Sequence, residues 1–132
     1  MILCQIQMDM LNKTEELISF LYPDFPQVLC LTEHHLKPSE IDFMYMDQCK
    51  LGTKFCKKYF KNGQVSTFVH NTLQCININL DEFCNEQDNQ ACAVRIKISS
   101  LTICIISIYR PPTGNFLHFL YTLDSIFTHQ HN

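Results

Sequence analysis

The chain carries no excess of basic residues, no CxxC pair, no basic leader and no long apolar run, and each absence closes off a class of function. Its 10 Lys and Arg stand against 13 Asp and Glu, for a net charge of −3. A chain of that balance lacks the strongly basic footprint that holds nucleic acid through bulk charge, so a DNA contact has to be local. Eight cysteines would be a disulfide count in a small secreted protein, yet Cys30, Cys92 and Cys104 sit inside apolar runs and the spacing is irregular. They read as buried free thiols of a reducing compartment rather than as a disulfide framework. The start, Met1-Ile2-Leu3-Cys4-Gln5, has neither a basic segment nor the apolar length of a secretory signal, and no run approaches the ~18 apolar residues of a membrane span. The expectation is a nuclear or cytoplasmic protein, not secreted and with no membrane partner. No repeat or low-complexity tract interrupts it. With 132 residues, 46% of them hydrophobic, residues 1–132 are expected to form one domain that closes its own core.

Asn12-Lys13-Thr14-Glu15 has the spacing of a capping box, which predicts a helix from Lys13 to about Tyr22 with Leu17, Phe20 and Leu21 on one face, stopped by Pro23. Val28 to Thr32 is a short apolar run without alternation and reads as a strand buried on both faces. Pro38-Ser39-Glu40 can open a helical turn, and one or two short strands fit between Met44 and Leu51. Asn62-Gly63 is a tight-turn signal leading into a strand at Val65–Val69. Leu73 to Leu80 alternates imperfectly, and Asp81 to Gln90 reads as an exposed acidic loop. Ala91 to Ile98 alternates cleanly, placing Cys92, Val94, Ile96 and Ile98 inward and Arg95 and Lys97 outward. Leu101 to Tyr109 reads as a second strand covered on both sides, ended by Pro111-Pro112. After an Asn115 cap, Phe116, Phe119, Leu120, Leu123, Ile126 and Phe127 have helical spacing. Helix, strand, several strands, strand, helix is the order of an α/β sandwich with two sheets face to face and helices outside.

The chemistry-bearing position is Glu33, directly after the Val28–Thr32 strand, where sheet proteins gather ligands. It is a candidate metal ligand, with a plain strand-end acid as the ordinary reading of the residue alone. His34 and His35 invite a zinc reading, but adjacent residues on extended chain point to opposite faces and do not readily share one ion. Cys56 beside Lys57 and Lys58 has the surroundings of an activated thiol without a placed histidine. Lys54, Lys57, Lys58 and Lys61, interleaved with Phe55, Tyr59 and Phe60, form the one locally basic stretch, either a solvated face or a DNA contact. Tyr109, taken alone, is a sheet-end aromatic with its hydroxyl in water.

Leu29-Cys30-Leu31-Thr32-Glu33-His34-His35-Leu36, then Asn62-Gly63-Gln64-Val65-Ser66-Thr67-Phe68-Val69, then Ile105-Ile106-Ser107-Ile108-Tyr109-Arg110-Pro111-Pro112, in that order, resemble the endonuclease domain of jockey-like non-LTR retrotransposons. That domain belongs to the endonuclease/exonuclease/phosphatase superfamily. The resemblance covers nearly the whole chain, including the helix at Lys13 and Pro23-Asp24. It implies a four-layered α/β/β/α sandwich whose Mg²⁺-dependent phosphodiesterase site lies across one end of both sheets, with DNA as the partner. By the same resemblance Glu33 matches the acidic metal ligand, Tyr109 the tyrosine near the attacked phosphate, and Arg110 a forked phosphate donor. Mg²⁺ is a hard cation that takes oxygen ligands and keeps some of its waters, which suits Glu33 better than either histidine.

The departures bear on activity. The family's Asn at the end of its first strand has no counterpart in Cys4-Gln5-Ile6-Gln7, where either Gln5 takes its place or one residue has been lost. The Gly-Asp-Phe-Asn strand that polarises the attacking water and the final Asp-His pair occur nowhere in the 132 residues. A positioned general acid or base contributes roughly 10²- to 10⁴-fold, and oxyanion-type donors a similar amount, so the expectation is a truncated nuclease half, inactive alone and weak in Mg²⁺ binding. The alternative is a non-catalytic transposon relic, or a fragment that binds DNA or another partner. A sandwich lacking central strands is further expected to self-associate through an exposed sheet edge along Leu101 to Tyr109.

Overall fold

In this computed structural model the described residues are 3–7, 10, 13–42, 44, 46, 48–55, 65–84 and 88–131. They form two sheets and three helices, an α/β architecture. One sheet has the order β1-β2-β4-β3, built from β1 (Leu3–Gln7), β2 (Val28–Thr32), β3 (Cys49–Phe55) and β4 (Val65–His70); the other has the order β5-β6-β7, from β5 (Gln74–Ile78), β6 (Gln90–Ile98) and β7 (Leu101–Tyr109). The helices are α1 (Thr14–Leu21), α2 (Pro38–Asp42) and α3 (Phe116–His131). Only β1 and β2 run parallel, consistent with the α1 crossover between them; the other pairs are antiparallel.

The period-2 alternation of each strand assigns its faces. From β2, Leu29 and Leu31 pack with Phe68 of β4 against Leu17 and Leu21 of α1. The opposite side of the same strands gives Val28, Cys30 and Val69, which meet Val94 and Ile96 of β6 and form the layer between the sheets. Ala91 and Ala93, facing away from that layer, pack with Ile106 and Ile108 under Ile126 of α3. All five residues of β2 are buried, as the unbroken apolar run predicts. Each covered strand side chain of Val or Leu size contributes roughly 1.5–3 kcal/mol of hydrophobic free energy.

Several expectations need correction. Leu101–Tyr109 is not covered on both sides: β7 is the last strand of its sheet, and among its residues only Ser107 is fully buried. Its apolar composition reflects one face under α3 and one toward β4, with an open edge. Phe20 is 75% exposed, and Ile18 takes its place beside Leu17 and Leu21, because residue 20 lies more than a quarter turn from the centre of that face. Lys13 stands at the α1 cap without a side-chain bond, and Asn12 lies outside the described residues. Asn62-Gly63, Cys56 and the basic residues from Lys57 to Lys61 also lie outside them. The Asn115 cap does form, its Oδ1 accepting from the His118 N–H at 2.9 Å. All seven cysteines of the described residues are free thiols, but Cys104 is exposed while Cys30 and Cys92 are buried. No helix of the described residues is long and apolar enough to cross a membrane.

Candidate functional site

β1, β2 and β7 all end at the same rim of the molecule, and the register shows why three side chains meet there. Gln7 is in register with Thr32, the residue before Glu33. β7 ends at Tyr109, on the face that carries Ile105 toward the layer between the sheets. By simple alternation Glu33 would follow Leu29 and Leu31 onto the α1 side. It does not, because its backbone is left-handed, with φ of 54°. That conformation is uncommon for a residue with a Cβ and costs about 1–3 kcal/mol. It turns the carboxylate over the rim, where Oε1 accepts from the Tyr109 hydroxyl and Oε2 from Nε2 of Gln7. His35, two residues on, is left-handed as well, at φ 61°.

A seam of small polar groups below the rim fixes the two sheets at this separation. The Ser107 hydroxyl donates to the Cys30 sulfur at 3.1 Å and lies 2.9 Å from Oγ1 of Thr67, whose hydroxyl is 3.8 Å from the Cys92 sulfur. Ser107 is two residues before Tyr109 on one strand face, and Cys30 is three residues before Glu33. Burial pushes the Cys92 thiol far above its ordinary range, so it enters this seam as a protonated, weak hydrogen-bonding group. The Cys84 thiol, near the start of β6, is pushed up to about 12 for the same reason.

The residues predicted from sequence are thus divided. Glu33 and Tyr109 are in direct contact. Gln5 is exposed on β1, and the glutamine that reaches Glu33 is Gln7. Arg110 is engaged by its own loop: Nη1 donates to the Gly114 carbonyl at 3.4 Å, and the guanidinium carbon lies 5.4 Å from the Phe116 ring centre. His34 is wholly buried, its Nδ1 accepting from the Leu36 N–H at 3.0 Å. Burial, and to a lesser degree His35, lower its pKa to about 4, so the ring is neutral near pH 7.

A carboxylate oxygen has two lone pairs, so each Glu33 oxygen retains one after its protein hydrogen bond. The Gln7 amide donates through Nε2, which turns its own carbonyl oxygen away from the acid. A single carboxylate with lone pairs to spare suits only a hard cation that keeps most of its waters. Among the described residues no three His, Cys, Asp or Glu side chains cluster to hold an ion without such waters. A separate cleft of about 260 Å³ opens between β3 and β5, lined by Gly52, Thr53, Lys54, Asn77, Asn79 and Asp81 among others. It sits at the lateral edge opposite β1 and β7 and shares no residue with the Gln7–Glu33–Tyr109 trio. No family model matches the chain, and no curated protein matches it.

Proposed function

We propose that Gln7, Glu33 and Tyr109 form the metal-and-phosphate side of a Mg²⁺-dependent phosphodiesterase site, and that the chain is the N-terminal part of a non-LTR retrotransposon endonuclease domain of the endonuclease/exonuclease/phosphatase type. In this reading the helix α1, the two sheets and the helix α3 are the four layers of that sandwich. One observation carries it: a tyrosine and a glutamate 76 residues apart, at the ends of strands from different sheets, are hydrogen-bonded to one another at one rim. The same two residues are the ones the family motifs pick out.

Glu33 would hold the cation through the lone pairs its protein hydrogen bonds leave free. Bound Mg²⁺ supplies charge neutralisation on a phosphate oxygen. Gln7 and Tyr109 fix the plane of the carboxylate, and the phenol would donate to a neighbouring phosphate only on releasing Glu33, because it carries a single proton. The Gly-Asp-Phe-Asn and Asp-His motifs, which supply the group that takes a proton from the attacking water in the resembled family, do not occur in the 132 residues. Loss of that group costs roughly 10²- to 10⁴-fold, so the 132-residue chain is expected not to turn over DNA by itself.

Both Glu33 oxygens are already met by protein donors, and that favours a second reading: a structural tie between the sheets of a non-catalytic fragment that binds DNA or another partner. Supercoiled plasmid with Mg²⁺ separates the possibilities. The chain alone should nick no faster than Glu33→Ala. Joined to a segment carrying Gly-Asp-Phe-Asn and Asp-His from an active endonuclease of the resembled family, it should nick in a Mg²⁺-dependent manner that Glu33→Ala abolishes. A folded fusion indifferent to Glu33 contradicts the nuclease reading, and Glu33-dependent nicking by the chain alone contradicts the expected inactivity.

A further inference from the structure

β3 and β5 are outer strands of their sheets and neighbour one another on the same side of the molecule. Sheets packed face to face stand ~10 Å apart, and that gap opens to solvent between the two strands as the cleft of about 260 Å³. Gly52 and Ala91 line it, and neither has a side chain long enough to fill it. Clefts that take drug-sized ligands enclose roughly 300–1,000 Å³, so this one suits a single heterocyclic ring system with its substituent.

The polar groups of the cleft select the ligand. Asn77, near the end of β5, and Asn79, just past it, are alternate residues that share one side of extended chain, and both line the cleft together with Asp81. The Asn79 Oδ1 accepts from the Asp81 N–H at 2.8 Å, which fixes that side chain beside Asp81 and leaves its Nδ2 as a donor. The exposed Asp81 carboxylate only accepts. Lys54 adds a cation from β3. An ammonium or guanidinium ligand would satisfy Asp81 but bring donors against Lys54 and the Asn79 Nδ2, and an anion would suit those two but be repelled by Asp81. A zwitterionic amino acid carries both kinds of group, but about a tetrahedral carbon, whereas a gap between two strands suits a flat ring. The matching ring presents two donors to the carboxylate and an acceptor beside them. Guanine is the nucleobase with that edge, N1–H and N2–H₂ next to O6, with N7 as a further acceptor. Adenine and cytosine set an amino donor next to a ring-nitrogen acceptor, and uracil and thymine flank one N–H with two carbonyls. Each of those four turns a lone pair toward the carboxylate.

We propose that the cleft between β3 and β5 binds a guanine base, with Asp81 accepting from N1–H and N2–H₂ and the Asn79 Nδ2 donating to O6. The proposal is independent of the nuclease reading and uses none of its residues. The base belongs either to free guanosine or to an unpaired nucleotide of a strand, and its edge is the same in both. A site built to hydrogen-bond a group rejects the analogue that lacks it, because the site's own polar groups are then left unpaired.

Titration of isotope-labelled chain with nucleosides, followed by NMR, reads this out. The expected result with guanosine is a set of shifts centred on residues 52–54 and 77–81, at a dissociation constant of roughly 10–100 µM for ordinary ligand efficiency. Adenosine, cytidine and inosine, the last lacking only the 2-amino group, should bind about tenfold or more weakly. Asp81→Asn replaces one acceptor by a donor, so it should lose guanosine and prefer xanthosine, whose 2-carbonyl meets the new amide. Glu82→Gln, beside the cleft but not lining it, should change neither. Both positions are exposed, and the amide spectrum confirms that the variants are folded. No response to about 1 mM guanosine, equal responses to all nucleosides, or guanosine binding unchanged in Asp81→Asn overturns the proposal. So does a response to free arginine at these residues with none to guanosine, which would assign the cleft to a guanidinium group. A short single strand with one guanine separates the two sources of the base: tighter binding than guanosine places it in a strand, equal or weaker binding in the free nucleoside, and either result supports the site.

Discussion

The Glu33 carboxylate joins the two sheets because a single residue abandons the strand conformation. The energetic content of that junction is accessible through a double-mutant cycle of Glu33→Gln and Tyr109→Phe. A hydrogen bond to a charged group contributes about 1.5–3 kcal/mol, and partial exposure of this pair brings the coupling below that range, to about 1 kcal/mol. Urea unfolding of the four proteins should return that coupling, and additive effects would mean that the two residues do not interact in solution. His34 supports a pH prediction of definite sign. Its ring is neutral in the native state down to about pH 4 but protonates near 6.5 when unfolded. Between those values the unfolded chain binds the extra proton, so stability falls as pH drops from about 6.5 to about 4 and then levels off. The difference is about 3 kcal/mol, readable as a lower urea midpoint at pH 4.5 than at pH 7 in metal-free buffer. His34→Asn, which keeps an acceptor for the Leu36 N–H, should flatten that dependence; an unchanged slope would assign the titration to another group. At this scale the sequence made Glu33 and Tyr109 legible because each ends an apolar strand. Gln7 was missed because choosing between two glutamines on one strand depends on the register with β2, which is a tertiary fact. The inward turn of Glu33 was not legible either, since nothing in Thr32-Glu33-His34 signals a left-handed residue the way glycine does.

Strand β3 shows how closely the sheets are pressed together. Its register against β4 shifts between Leu51 and Thr53, and a Cβ built on Gly52 would stand 2.9 Å from Cγ2 of Val69 and 3.3 Å from Cγ2 of Val94. Gly52→Ala is therefore expected to force the sheets apart or shift both valines, costing about 1–3 kcal/mol. Thermal unfolding measures this, and a neutral or stabilising effect would show that the layer has slack. The second half of β6 was well marked in the sequence: Val94 to Ile98 alternates as its pattern predicts, with Arg95 and Lys97 outward, whereas Ala91 to Val94 is buried on both faces because α3 covers Ala91 and Ala93. β7 was misread because a run such as Leu101–Tyr109 has the same composition whether it is central or at an edge. Hydrophobicity records what a strand's faces meet, and edge hydrogen bonding leaves no trace in it. The faces of α1 and α3 were blurred for a related reason. Both helices carry more apolar residues than they bury, so periodicity alone could not choose between Phe20 and Ile18, or between Leu120 and Leu123.

At the level of the whole molecule the two sheets are offset. β3 and β4 lie over β5, β6 and β7, while β1 extends past them, with Leu3 57% exposed and Gln5 and Gln7 exposed on the same face. That overhang and the open edge of β7 form a step alongside the Glu33 rim. In an antiparallel edge strand alternate residues bond to the neighbour and the others point outward. Amide exchange along Ile103 to Ile108 should therefore alternate between protected and fast positions. Uniform protection would mean that another strand covers the edge. The α/β class and the order of elements were readable from pattern and turn chemistry. The offset was not, because it depends on how two sheets of unequal width sit on one another.

The proposed cation-binding rim of Glu33, Gln7 and Tyr109 is open to direct observation. The most direct test is a titration of isotope-labelled chain with Mn²⁺ as a paramagnetic stand-in for Mg²⁺, followed by NMR. The expected result is broadening centred on the Gln7 side-chain amide, Glu33 and Tyr109, competed away by Mg²⁺ and abolished by Glu33→Ala. Broadening centred elsewhere, or a response at this rim that survives Glu33→Ala, would contradict it.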